Sequence, residues 1–280
     1  KIHDHGFVGL VDHMGSDAAI VEAARVSYQT GTKATRTDRA LIRYLMRHKH
    51  TSPLEMCEVK LHIRAPIFVL RQWLRHRTAA INEESGRYSE IRDMFFCPAL
   101  GDLAPQSLDN KQGREGEFPL HKQDAIRKVI EANNEYSFAS YKALLAEDLA
   151  RELARVTLPL TAYSSLYWKI DLHNLLHFLT LRTDSHAQKE IRDYADAILD
   201  IIRPLFPYAV EAWEDYQQQA KMLSRMDLDL LAALIRRSNI KTQWIDMVEE
   251  ARGEKFLAEK FGMSGRELRD FVLLLDLPDF

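Results

Sequence analysis

The chain reads as an α+β protein, helix-rich with a small central sheet. Three observations predict this. Amphipathic segments at helical spacing fill most of the length. Only two stretches, near residues 56–64 and 161–170, carry strand character. No internal repeat and no low-complexity tract points to a solenoid or a disordered chain.

Taken in order, Ser16-Asp17 opens a helix running to Val26, with Ala19, Ala23 and Val26 on one stripe and Ile20 beside it. A second helix spans about Thr37 to His48 and turns Leu41, Ile42, Leu45 and Met46 inward. Met56 to Arg64 alternates, with Val59, Leu61 and Ile63 facing one way and Glu58, Lys60, His62 and Arg64 the other, which is a half-buried strand. Pro66 suits the first turn of a helix reaching about His76, with Ile67, Leu70, Trp73 and Leu74 inward and Gln72, Arg75 and His76 on its polar side. The glycines and proline of residues 101–118 predict a mobile loop. Helical pattern resumes from about His121 to Glu147 and from Leu149 to Val156, and Pro159 stops it. Thr161 to Ile170 reads as a strand, and Asp171 as the N-cap of a helix burying Leu172, Leu175, Leu176 and Leu179. Further helices cover about Ser185 to Arg203 and follow Pro207. From about Lys221 come two or three amphipathic helices, the last opened by a Ser264/Glu267 capping box ahead of Leu268, Phe271, Val272 and Leu275. Residues 1–220 and 221–280 thus divide as a main domain and a helical extension.

Composition excludes several classes. Lys plus Arg is 38 and Asp plus Glu 41 in 280 residues, which gives no general attraction to nucleic acid or to an anionic membrane. Two cysteines, Cys57 and Cys97, make neither a disulfide framework nor a metal spacing and suit a reducing, cytoplasmic setting. No apolar run approaches the ~18 residues of a membrane span. The opening Lys1-Ile2-His3-Asp4-His5 lacks an apolar signal core, which argues against secretion, and the absent initiator Met points to a trimmed N-terminus.

Chemistry concentrates in Arg75-His76-Arg77-Thr78-Ala79-Ala80-Ile81-Asn82-Glu83-Glu84-Ser85-Gly86-Arg87-Tyr88. Guanidinium forks bind phosphate or carboxylate in bidentate fashion, and here they lie beside acceptors and a glycine, as a polyanionic ligand with a second polar part requires. A solvated, salt-bridged loop is the plainer alternative. His173 and His177 have the spacing of a zinc helix, but Asn174 stands where its general-base Glu belongs. Arg182 ends its helix, where a charge that only favours the dipole is equally reasonable. Arg155 has a similar alternative. Thr51 and Ser52 before Pro53 read as turn chemistry. Neither cysteine has an activating base nearby in sequence, and Ser85 has no assigned base. No nucleophile elbow, phosphate loop or dinucleotide fingerprint occurs.

Arg75-His76-Arg77, seven residues, then Ser85 resembles the signature of the flavin-dependent thymidylate synthases, and Asn82, Glu83, Ser85 and Arg87 fit its longer form. Ala80 departs from it, standing where the long form usually has Ser. The resemblance runs from about Gly6 to Gln219, making residues 1–220 the catalytic domain and leaving 221–280 outside. It implies methylation of dUMP at C5, with methylenetetrahydrofolate giving the carbon and FAD, reduced by NAD(P)H, the hydride. It assigns Gln72, Arg75, Glu83, Glu84, Ser85, Gly86, Arg87, Arg155 and Arg182 to dUMP, with Arg182 catalytic against the uracil. Ser52, Arg75, His76, Arg77, Glu83, Asp171, His173 and His177 match flavin contacts, and His50 lies on the folate side. At Asp171, His173 and His177 the family usually has Asn, Arg and Asn. No metal is implied, nor nucleic acid or membrane, and the family is homotetrameric with sites shared between subunits. The rival classes are a nucleic-acid-binding regulatory module built on Arg75–Arg87 and a zinc hydrolase on the two histidines.

Overall fold

Alternating burial builds the sheet. Val59, Leu61, Ile63 and Ala65 are fully buried while the residues between them are half-buried, and Leu166, Trp168 and Ile170 repeat the pattern against exposed Tyr167 and Lys169. Four antiparallel strands lie in the order β1 (Phe7–Met14), β2 (Glu58–Pro66), β4 (Tyr163–Asp171) and β3 (Ala80–Glu83). β2 and β4 pair over their whole length, from Glu58 opposite Asp171 to Pro66 opposite Tyr163. The two edge strands were not expected from the sequence. The computed structural model describes residues 1–26, 37–237, 240–251 and 253–274, so Leu275 of the expected last stripe lies outside the described residues.

The chain divides into two compact units, Lys1–Gln219 and Ala220–Phe280. In the first, helices α1 (Asp17–Arg25), α2 (Asp38–Arg47), α3 (Ile67–Trp73), α6 (Leu172–Arg182), α7 (Lys189–Ile202) and α8 (Pro207–Trp213) share one core with the sheet. Its centre is aromatic: Trp73 meets Trp168 edge-on at 5.2 Å and lies 4.9 Å from Phe178. A long helix, α4 (Leu120–Ala146), and the short α5 (Arg151–Ala154) enclose a satellite cluster of Phe138, Tyr141 and Ala154. Among the described residues of the second unit, α9 (Arg225–Arg237), α10 (Ile240–Glu250), α11 (Glu254–Lys260) and α12 (Gly265–Leu274) number four where two or three were expected, because glycines at positive φ, Gly253 and Gly262, cut the pattern into short pieces.

Three expectations need correction. The helix expected to reach His76 ends at Trp73: Leu74 closes it with an N–H bond to Leu70 O and stays 42% exposed, so Arg75, His76 and Arg77 leave the helical path. On α1 the buried pair is Ile20 and Val21 while Val26 is 82% exposed. There the Asp17 carboxylate receives the N–H groups of Tyr208 and Ala209 and fixes the helix against α8. α7 begins at Lys189 rather than Ser185, because Asp184 accepts from His186 N at 2.8 Å and holds a turn. The 101–118 segment is irregular, as expected, yet it is tied internally. Ser107 Oγ donates to Glu115 at 2.8 Å, and Gln106 and Arg114 form a β-bridge.

Candidate active site

Four leucines of α6 (Leu172, Leu175, Leu176 and Leu179) are buried, so the helix turns His173 and His177 to its outer side and brings Arg182 to its last turn. The chain leaving α3 bends back through a bond from His76 N to Trp73 O of 3.0 Å. The His76 ring thereby comes 4.8 Å from Phe178 and 6.0 Å from His177. Arg182 donates from Nε to His76 Nε2 at 3.1 Å and from Nη2 to the carbonyl of Gln72 at 3.4 Å. The imidazole can accept there only when neutral. Burial, then the neighbouring Arg182 and His177, push its pKa from 6.5 down to about 4. Burial also lowers that of Arg182, although a guanidinium stays charged. The result is a fixed, half-buried cation. Gln72 in turn donates from Nε2 to Gln188 Oε1 at 2.6 Å. Arg75 and Arg77 are exposed and, among the described residues, stand outside any ion pair. Such uncommitted forks suit an anion.

A second cluster forms past β3. Glu83 accepts from Ser164 Oγ at 2.6 Å, and Glu84 exchanges bonds with the Ser165 backbone at 3.0 and 2.9 Å. These bonds lock the strand end, so the chain turns at Ser85, whose carbonyl receives Tyr88 N and whose Oγ receives Arg87 N at 3.3 Å. Gly86 is buried at the crossing: a Cβ there would lie 2.7 Å from Ile91 Cδ1 and 3.4 Å from Arg155 Cδ. The glycine therefore lets Arg155 come up against the turn. Arg87 faces Glu152 at 3.5 Å, both exposed. Among the described residues no hydrogen bond or ion pair joins this cluster to the one around Arg182.

The remaining candidates lie along α6 and beyond its start. Asp171 caps the helix, accepting Asn174 N at 2.9 Å and Asn174 Nδ2 at 2.7 Å. Leu172 N donates to Cys57 O at 2.8 Å, which sets the turn carrying Ser52 at the same end. His50 and Ser52 line a groove of about 950 Å³ with Tyr44, Leu45, Pro53 and Met56. They are thus not gathered with Arg182, which lies at the other end of a helix about 16 Å long. Among the described residues no group of three His, Cys, Asp or Glu could hold a metal ion. Cys57 is buried, donates to Ser16 O at 3.6 Å, and has its thiol pushed up to about 11 by burial. Burial raises the Cys97 thiol too, and its partner is Glu131. Neither thiol adjoins the two clusters. Sequence reading missed Gln188, Ser164 and Ser165. Gln188 lies 116 residues from its partner, and the serines look like ordinary strand residues.

The model of the thymidylate synthase complementing protein family matches residues 9–208. A flavin-dependent thymidylate synthase of Wolbachia pipientis is 48% identical over 255 residues, covering 91% of this chain and 89% of its own length. That of Anaplasma marginale is 45% identical and covers 100% and 90%. This chain belongs to the flavin-dependent thymidylate synthase family. It is an enzyme of that family, and its sheet and helices have a close counterpart in the crystal structure of a UMP/dUMP methylase from Streptomyces cacaoi bound with 5-Br UMP. That structure superposes with a TM-score of 0.71 at 35% identity and covers 78% of this chain and 97% of its own. No helix among the described residues is long and apolar enough to cross a membrane.

Proposed function

We propose that the chain methylates dUMP to dTMP, taking the carbon from methylenetetrahydrofolate and the hydride from FAD that NAD(P)H has reduced. The observation that carries this reading is the guanidinium of Arg182, held by a neutral His76 and the Gln72 carbonyl. Uracil C5 is a weak nucleophile, and activating it builds negative charge on the ring. A fixed cation in a half-buried site stabilises that charge without reorganising. The turn of Ser85, Gly86 and Arg87, with Arg155 beside it, offers hydroxyl, backbone N–H and guanidinium groups to the nucleotide phosphate. Glu83 and Glu84 shape this turn through Ser164 and Ser165. The methylase from Streptomyces cacaoi, bound in a second crystal structure with 5-Br dUMP, supports this choice of ligand.

The residues present suit a flavin. Arg75 and Arg77 supply uncommitted cations for its diphosphate in the absence of a phosphate loop. His76, His173 and His177 line the outer side of α6 toward Asp171, Ser52 and His50 at its far end. Reduced flavin supplies a hydride when bound. The protein's part is to hold the pyrimidine, the folate and the ring carrying that hydride in register. The nucleic-acid reading of Arg75–Arg87 is not favoured, because carboxylates interleave the cluster and Arg87 faces Glu152. The two separate clusters support a homotetramer whose sites are shared, and two free thiols suit a cytoplasmic setting.

The test is direct. Purified protein should carry a flavin absorbance and convert dUMP to dTMP when given methylenetetrahydrofolate and NADPH. Absence of both flavin binding and dTMP, with added FAD present, would overturn the assignment.

A further inference from the structure

Three residues open α7, and each reaches a different part of the chain. Gln188 is the N-cap but makes no side-chain bond to its own helix. Its amide oxygen instead receives Gln72 Nε2 at 2.6 Å. Lys189 reaches Asp193 at 2.9 Å, one turn on, and Asp102 at 3.4 Å. Glu190 is buried, its side chain 4% exposed, and its Oε1 receives Arg114 Nη1 at 2.9 Å. Its Oε2 has no hydrogen-bond partner among the described residues. The core grips α7 from Ile191 onward. Ahead of that the first turn lacks a local cap and rests on these long-range ties.

The ties differ in weight. Lys189 and Asp102 are both part-exposed, and such a pair is weakened by water and salt. Glu190 has left water, and a buried carboxylate needs a cation. Arg114 supplies it from the 101–118 segment, which its own bonds make compact. Glu115 N donates to Pro105 O at 3.0 Å, Ser107 N to Gly113 O at 3.0 Å, and Gln106 Nε2 to the same carbonyl at 2.8 Å. Gly101 N is anchored on Gln123 Oε1 of α4 at 2.6 Å. The segment is a strap that presents Arg114 to the start of α7.

That start also holds the candidate site. The turn between Arg182 and Gln188 is closed by Ala187 N on Asp184 O at 2.9 Å, and Arg192 Nη1 of α7 donates to Ser185 O at 3.0 Å. The first turns of α7 thus carry the backbone that follows Arg182. Through Gln188 they also hold Gln72, whose carbonyl receives Arg182 Nη2. We propose that Glu190, gripped by Arg114, is a positioning residue for methyl transfer: the pair sets the first turn of α7 so that Gln188, Gln72 and Arg182 stay in register. Without Arg114 the carboxylate is left buried and unpaired, and its pull toward water displaces that turn.

The inference rests on the proposed reaction of dUMP, so the wild type is measured first. No dTMP from the wild type would sink that reading, and this one with it. The variants are the full chain with FAD bound, assayed well below their melting temperatures. Arg114→Met should lower kcat for methyl transfer about tenfold and raise KM for dUMP severalfold. Flavin reduction by NADPH without dUMP should stay unchanged. Glu190→Gln keeps an acceptor for Arg114 and removes the buried charge, so alone it should stay within about twofold of wild type. Added to Arg114→Met, it should restore most of the lost methyl transfer, because no unpaired charge remains. If Arg114→Met does not fold, Arg114→Lys takes its place, with a smaller loss of the same pattern. With an active wild type, three results would overturn the proposal alone: unchanged kcat and KM at a lowered melting temperature, equal loss in both half-reactions, or no rescue by Glu190→Gln.

Discussion

Arg182 donates to an imidazole that burial keeps neutral, and two expectations follow for single residues. As a helix-end charge, Arg182 would be worth roughly 0.3–1 kcal/mol, and Lys would serve nearly as well. As the group facing a uracil anion it needs its planar fork, because the single nitrogen of a lysine cannot reproduce the separated Nε and Nη2 donors that hold His76 and the Gln72 carbonyl while a third edge faces substrate. Arg182→Lys should keep its fold and its FAD yet lose on the order of a hundredfold in methyl transfer. Flavin reduction by NAD(P)H should survive better, since that half-reaction makes no uracil anion. Rapid-mixing kinetics of the two half-reactions decides, and near-wild-type methyl transfer would reduce Arg182 to a cap. His76 gives a pH signature. Its folded pKa lies at about 4 against an ordinary 6.5, chiefly through burial. Below 6.5 the unfolded chain takes up a proton that the folded site refuses. The neutral imidazole's contribution is therefore present above that pH and is lost as pH falls toward 4. Wild-type melting temperature should drop more steeply across this window than that of His76→Gln, with the other carboxylate effects common to both. Parallel profiles would contradict a buried neutral His76.

At the scale of elements, α6 ties the fold to the candidate site. Asp171 ends β4, caps α6, and stands among the proposed flavin contacts. Asp171→Ala removes the bond to Asn174 N and should cost about 1 kcal/mol. Asp171→Asn should retain the bond to Asn174 N but give up the acceptor for Asn174 Nδ2, so its stability should lie above that of the Ala variant, and with an amide donor added its FAD affinity should not fall. Calorimetry and flavin titration separate the two substitutions, and equal stability of the Ala and Asn variants would remove the capping role. What could be read beforehand follows the same physics. α2, β2, β4 and α6 were legible because each buries a regular stripe. β1 was not, since Leu10, Val11 and Met14 are all more than 40% exposed on this edge strand and blur its alternation. β3 is four exposed residues whose pairing with β4 no local pattern reveals. The capping box at Ser264 was legible in full, because both partners lie within one turn. The site was legible as residue types but not as neighbours. His76 and Arg182 are 106 positions apart, and only the early end of α3 turns the imidazole back onto α6.

The whole molecule poses the question of where one site ends. Gln72, His76 and Arg182 form one set, the turn from Glu83 to Arg87 with Arg155 another, and no hydrogen bond or ion pair joins them among the described residues. A single nucleotide must nevertheless meet a phosphate-binding turn and a uracil-facing guanidinium together if the proposed reaction is right. A symmetric oligomer resolves this by letting one subunit bring Arg182 to the Arg87 turn of another. Arg182→Ala and Arg87→Ala should each be nearly inactive alone. Co-expressed with different affinity tags and purified through both, they should regain activity. In a hybrid pair one shared site carries both defects and the other carries none, so random mixing restores about one site in four. Light scattering should show the same oligomer for all three preparations, expected to be a tetramer. If the doubly purified hybrid stays as inactive as its parents while remaining oligomeric, each site is built within one chain. The two clusters would then have to approach one another by a movement of the Ser85–Arg87 turn when nucleotide binds.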